Sequence, residues 1–396
     1  MTLSHATIIP LIGGMALAHE QVLKSKPKWI LSYSAFGANE KHLLEYYKND
    51  IPYSFIDEGA KKFENVDIIS TVCPCAGLSS LSVTSSPDSK VNEWMYKSAT
   101  HILENYQPQV FWGENAPVLA TNKGFPVLKR LYAIGKQNGY TLAIYRTASK
   151  LHGNPQIRSR SFYFFWKGDR VPVFNWFEKP RRKLLDVLNA VPSTATQQDL
   201  LTNPKTPSQD PLYDTILNIV GMNHQEFIKS LDRSYSPIGY MHKHNIMDKA
   251  LEYTKEKNYK IAHNFIQRAK DKFSKGLGVM DRGINFPGEY IGAFVGGLPT
   301  GLVHPIQDRY LNVRECLTLM DLPFDFELQQ PVNKNLNHIC QNVPMNTAKD
   351  MVGEIAESLN GNREFVKANK NIVFMQNNNN MKNSYVEIEK RSLLAA

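Results

Sequence analysis

Seven short apolar runs recur along the first part of the chain: Thr7–Ile12, Trp29–Phe36, Tyr53–Asp57, Val66–Val72, Gln109–Glu114, Thr141–Ala148 and Ser161–Trp166. Between most of them the apolar residues fall at helical spacing, as in "EKHLLEYYKN", "VNEWMYKSATHILENY" and "FPVLKRLYAIGKQNGY". Strands that are apolar on both faces and alternate with helices predict an α/β fold, a mostly parallel seven-stranded sheet covered on both sides. Ligands of such sheets gather at the carboxyl ends of the strands. Gly13-Gly14, Cys73-Pro74-Cys75 and Glu114 all fall at ends of that kind.

The pattern changes near residue 172. "STATQQDLLTNPKTPSQDP" is polar and turn-rich, and "ALEYTKEKNYKIAHNFIQRAKDKFSKG" (Ala250–Gly276) reads as a basic amphipathic helical stretch. "GINFPGEYIGAFVGGLPTGLVHP" mixes glycine and proline with aromatics, as turn-rich loops do. These features divide the chain into residues 1–171, a smaller and less regular unit at 172–303, a return to the first unit at 304–358, and a partly flexible extension at 359–396. The Asn-rich "MQNNNNMKNS" (Met375–Ser384) is expected to form a flexible tail.

Composition narrows the functional classes. At 42% hydrophobic residues, the 396-residue chain can bury a large core. Its four cysteines do not make a disulfide framework. No signal peptide and no membrane span are expected, so the reading is a cytoplasmic protein. The net charge of +9 favours a polyanionic partner, nucleic acid first.

The two close cysteines need a role. Zinc would require further Cys or His pairs, and Cys316 and Cys340 stand alone. A thioredoxin-type pair has two intervening residues rather than one. A nucleophile at a strand end remains, with Cys75 better placed than Cys73, which reads as a buried strand residue. His152 and His304 read as loop hydrogen-bonders, and no metal site is expected.

Pro74-Cys75 opening a Gly/Ser loop resembles the catalytic loop of DNA cytosine-5 methyltransferases, and four more matches follow in that family's order. "GENAPVL" is similar to its Glu-Asn-Val motif, with Glu114 and Asn115 in place. "GNPQIRSRSFYFF" is similar to its Gln-x-Arg-x-Arg strand, with Gln156, Arg158 and Arg160. Arg309, Arg314 and Glu315 fit an Arg…Thr-x-Arg-Glu segment, and "HICQNVPMNTAKDMVGEIA" resembles the closing motif and its helix. The likeness covers roughly residues 7–358.

The resemblance implies a Rossmann-like fold and methyl transfer from S-adenosylmethionine, leaving S-adenosylhomocysteine. It implies a cytosine flipped out of double-stranded DNA, a target-recognition role for the second unit, and a monomer working in a bacterial or phage-infected cell, with or without a restriction partner. Cys75 would be the thiolate nucleophile and Glu114 the acid at ring nitrogen 3. Arg160 would contact the base's oxygen 2, supported by Arg158 and Gln156, with Pro74 and Asn115 shaping the base site. The loop Ala76–Ser85 would close over the flipped base, and the lysines around Lys255–Lys275 would contact phosphates.

In the cofactor loop the chain departs from the family's Phe-x-Gly-x-Gly-Gly. "IPLIGG" places Ile9 and Leu11 at the Phe and first Gly positions and keeps Gly13 and Gly14. Glu40 is the candidate for the ribose hydroxyls and Asp57 for the adenine amino group. Asn342 and Val343 come from the shortened closing motif. An RNA cytosine-5 methyltransferase and a DNA-binding protein with a degenerate cofactor site are the alternative readings.

Overall fold

The computed structural model describes residues 2–79, 85–279, 281, 283–294, 301–329, 331–368, 371–376 and 387–392. Residues 80–84 of the expected closing loop, 295–300 of the "VGGLPTG" stretch and 377–384 of the Asn-rich run lie outside them. All seven expected strands form: β1 (His5–Ile8), β2 (Ile30–Ser32), β3 (Tyr53–Phe55), β4 (Ile68–Thr71), β5 (Val110–Asn115), β6 (Tyr140–Ala148) and β7 (Ser159–Lys167). A short pair, β8 (Arg170–Pro172) and β9 (Phe365–Lys367), stands apart. Two further strands, β10 (Asn371–Gln376) and β11 (Glu387–Ser392), extend the main sheet to nine among the described residues, in the order β11-β10-β6-β7-β5-β4-β1-β2-β3. The extension beyond residue 359 is thus partly sheet. Its apolar run Ile372–Met375 is buried, as expected where a strand continues a covered sheet.

The sheet is parallel except at β7 and β11. Every residue of β1, β4 and β5 is buried, which explains their continuous apolar sequence. The chain runs from β1 outward through β2 to β3, then returns to the other side of β1 with β4. That reversal opens a crevice at the carboxyl ends of β1 and β4. The loop from Ile9 to Gly14 and the Cys73–Cys75 loop both start there. Strand β7 runs antiparallel between β5 and β6, pairing Glu114 with Phe162 and Asn115 with Ser161. This direction brings the beginning of β7 to the end of β5.

A second apolar core gathers Tyr213, Phe227, Tyr240, Ile266, Phe286 and Tyr310. It is more helical than its sequence texture suggests. Its first helix, Pro211–Val220, begins with Asp210 accepting the Leu212 N–H at 2.9 Å and ends at Gly221 in the left-handed region, caps worth about 1 kcal/mol. The basic stretch forms two helices, Met247–Glu256 and Lys260–Ser274. The break falls at Asn258, whose φ of 57° suits asparagine better than most side chains. No helix among the described residues is long and apolar enough to cross a membrane.

Candidate active site

The two cysteines of the Cys-Pro-Cys loop occupy different surroundings. Cys73 is buried, with its sulfur 3.4 Å from Thr71 Oγ1, 3.8 Å from Ser98 Oγ and 3.9 Å from the Tyr163 hydroxyl. Cys75 is half-buried at the head of the one-turn helix Ala76–Leu78, its carbonyl accepting the Leu78 N–H at 3.0 Å. Burial and the negative charge of Glu114 push the Cys75 thiol up, while Arg160 and then Arg158 pull it down. One thiol therefore belongs to the core, and the other feels both arginines as well as Glu114.

Glu114 is buried at the end of β5 and forms an ion pair with Arg160. The ladder explains the meeting. Glu114 lies opposite Phe162, and Arg160 precedes Phe162 by two residues, so the pair is a diagonal contact on one face of the sheet. Arg160 Nη1 also donates to the Ser159 carbonyl at 2.8 Å. Arg158 is fully buried and clasps backbone: its guanidinium donates to the carbonyls of Phe294, Cys340 (2.9 Å) and Asn342 (3.0 Å). Gln156 donates to the Leu319 carbonyl at 2.9 Å and accepts the Phe294 N–H at 3.2 Å. Asn115 caps Ala116 at 2.9 Å and donates to Met95 Sδ at 3.2 Å. These three side chains face other protein segments and brace the site.

The loop after β1 carries the expected cofactor residues. Ile9 and Leu11 are buried, with φ of 48° and 52°. Gly14 opens the helix Gly14–Leu23, and its N–H donates to Asn342 Oδ1 at 3.0 Å. A Cβ on Gly14 would collide with the Asn342 side chain and the Val343 carbonyl, so this approach requires glycine. Asn342 Nδ2 is buried and finds no hydrogen-bond partner among the described residues.

Glu40 is buried in the first turn of the helix Gly37–Tyr46 and accepts from the Ser32 and Tyr53 hydroxyls. Burial pushes its carboxyl up to about 7. Asp57, exposed just past β3, accepts the Ser34 N–H at 2.9 Å and the Ser34 hydroxyl at 2.6 Å. The Ser34 bonds hold the Asp57 carboxyl below its ordinary range. Ser34 and Tyr33, whose ring packs 5.0 Å from Trp94, fall within the expected run Trp29–Phe36, but β2 ends at Ser32 and leaves them in the loop that follows.

Farther from the crevice, Arg309 pairs with Glu315 at 2.7 Å and Arg314 ties Thr194 and Asp199 to the Phe324 carbonyl. His152 bridges Thr147 and Asp350, and His304 accepts the N–H groups of Ile306 and Gln307. No cluster of metal-binding side chains occurs among the described residues.

A half-buried thiol, a buried acid and the arginine paired with it thus stand at neighbouring strand ends of a mostly parallel sheet. The chain belongs to the C-5 cytosine-specific DNA methylase family, whose model matches residues 10–357. Its fold is similar to the Entamoeba histolytica methyltransferase EhMeth (TM-score 0.54, 10% identity, covering 91% of this chain and 99% of that one). It is also similar to a protein encoded within an E. coli prophage and assigned as a DNA modification methyltransferase (TM-score 0.51, 15% identity, 90% and 99%). A Dnmt2 methyltransferase of S. pombe aligns with a TM-score of 0.50 at 12% identity, covering 90% of this chain and 99% of that one. No curated protein matches the sequence.

Proposed function

We propose that the protein methylates carbon 5 of cytosine in double-stranded DNA, with S-adenosylmethionine as donor and Cys75 as covalent nucleophile. The observation that carries this reading is the convergence of Cys75, Glu114 and Arg160, from the ends of β4 and β5 and the start of β7. A cytosine must leave the duplex to reach them, at a cost of a few kcal/mol. The Cys75 sulfur then bonds to carbon 6, and the displaced electron pair is drawn toward ring nitrogen 3, which takes a proton from Glu114. Carbon 5 becomes nucleophilic. Arg160 holds Glu114 in place and offers its guanidinium to the base's oxygen 2. After methyl transfer, loss of the carbon-5 proton re-forms the ring double bond and expels the thiolate, while nitrogen 3 returns its proton.

S-adenosylmethionine, when bound, supplies the electrophilic methyl group. The residues present fit it: Asn342 Nδ2 is a buried donor left over beside Gly14, and Asp57 offers an acceptor at the end of β3. Ile9 would cover the adenine side in place of an aromatic ring.

Labelled S-adenosylmethionine offered with duplex DNA and, separately, with tRNA tests the proposal. Label in DNA alone is expected. Label in tRNA alone would transfer the same chemistry to RNA. Label in neither, with DNA still bound, would leave a binding protein.

A further inference from the structure

Ile284 and Phe286 belong to the second apolar core, whereas Ile291 and Phe294 are buried in the first. The chain therefore passes from one core to the other between Phe286 and Ile291, and residues 155–158, the lead-in to β7, receive it. Ile291 N–H donates to the Pro155 carbonyl and Ile157 N–H to the Ile291 carbonyl, both at 2.9 Å, which sets Gln156 beside Ile291 in a parallel bridge. Three residues on, the Phe294 N–H donates to Gln156 Oε1 at 3.2 Å, and the Phe294 carbonyl accepts from the Arg158 guanidinium. Burial alternates from Gln156 to Arg160, as along an extended run, with Gln156, Arg158 and Arg160 inside and Ile157 exposed between the first two. Two of these inward side chains hold Phe294, and the third holds Glu114.

The amide of Gln156 has no donor left for a substrate. It is fully buried, its oxygen takes the Phe294 N–H, and its nitrogen donates to the Leu319 carbonyl at 2.9 Å and to Met320 Sδ at 3.2 Å. A side-chain amide has two N–H donors, and both are spent on the protein. We infer that Gln156 determines target specificity as a positioning residue. Without touching the base, it anchors residues 291–294 of the second unit in fixed register to Arg160 and Glu114, so that a cytosine in the right sequence context is delivered to them. The inference rests on the reading of the protein as a DNA methyltransferase whose second unit recognises the target.

Gln156→Leu keeps much of the volume and leaves the Phe294 N–H without its acceptor. The wild-type target is first mapped by bisulfite sequencing of a methylated plasmid library. Single-turnover rates are then measured on that duplex and on duplexes with one flanking base pair changed. In Gln156→Leu the ratio of target to altered rates should fall about tenfold, the discrimination that one base pair commonly carries. Equal slowing on every duplex would make Gln156 a base contact and overturn the inference. Unchanged rates would overturn it too, as would a wild-type protein that methylates cytosine in any context. Hydrogen exchange provides a second readout: the amides of residues 291–294 should exchange faster in Gln156→Leu, and unchanged exchange overturns the inference. If the wild-type protein methylates no duplex DNA, the functional reading fails, and the exchange measurement alone decides whether Gln156 anchors this segment. Should Gln156→Leu not fold, Gln156→Met, which fills the same space with an unbranched chain, replaces it with the same expected readings.

Discussion

The side chain of Asn342 accepts the Gly14 backbone N–H at 3.0 Å, joining residues 328 positions apart. Arg158 grips the same segment from the other side through the carbonyls of Cys340 and Asn342. The lead-in to β7, the closing segment and the loop after β1 are therefore linked in series. Asn342→Ala should lower stability by about 1 kcal/mol, the scale of a lost helix cap, and weaken S-adenosylmethionine binding. Asp57→Ala should weaken that binding strongly with little change in stability, because Asp57 is exposed. Calorimetry and thermal melts on both variants check this; unaltered affinity in both would place the cofactor elsewhere.

Cys75→Ser should abolish turnover, and Cys73→Ser should leave most of it, since Cys75 feels Arg160 and Arg158 as well as Glu114 while Cys73 packs against Thr71, Ser98 and Tyr163. Duplex DNA containing 5-fluorocytosine should form a complex with the protein that survives denaturing electrophoresis, because fluorine blocks the final elimination. Trapping through Cys73 would reverse the assignment.

Glu114→Gln keeps the hydrogen-bonding shape beside Arg160 and removes the transferable proton. The rate of methyl transfer should fall by about 10²–10⁴-fold. A rate within about threefold of wild type, measured in single-turnover reactions, would mean that another group protonates the base.

The helix Lys260–Ser274 exposes Ile261, Asn264, Arg268 and Lys272 along one side, while Lys270 is paired with Asp248 on the neighbouring helix. Arg268→Ala with Lys272→Ala should therefore flatten the salt dependence of DNA binding, by about 0.9 in log–log slope for each phosphate no longer neutralised. The methylated sequence should not change. A slope equal to wild type would return this face to solvent.

His42 Nδ1 accepts the Gln329 N–H at 2.8 Å, so its proton sits on Nε2 and is donated to His338 Nδ1 at 2.9 Å. The bridge needs both rings neutral. Burial, reinforced by His338, pushes His42 down to about 4, and burial takes His5 and His304 to about 4 as well. Unfolded histidines titrate near 6.5, so between about pH 6.5 and 4 the unfolded chain binds more protons than the folded one. Stability should be fully present above pH 6.5 and fall as pH drops toward 4, by up to about 3 kcal/mol per histidine. Urea unfolding across that range measures the loss, and His42→Gln should reduce its steepness. A flat profile would mean these rings are not buried neutral.

The chain's own pattern determined the seven central strands, because strands covered on both faces must be apolar throughout. It also pointed to the chemistry, since Cys75, Glu114 and Arg160 each lie at the end or start of such a run and need no partner to be noticed. It did not reveal that β10 and β11 complete the sheet, because Ile372–Met375 acquires a strand's surroundings only beside β6. It ranked like residues, Cys75 above Cys73 and Arg160 above Arg158, without showing what sets them apart. Cys73 and Cys75 differ only in which way the loop after β4 turns them. Arg158 and Arg160 differ in what stands opposite: backbone carbonyls for one, Glu114 for the other. Glu40 reads in the sequence as an acid near a strand end, yet packing directs its oxygens to the Ser32 and Tyr53 hydroxyls. Side-chain type and spacing are local properties, whereas the partner that gives a buried charge its role comes from segments tens to hundreds of residues away, brought there only when the sheet closes.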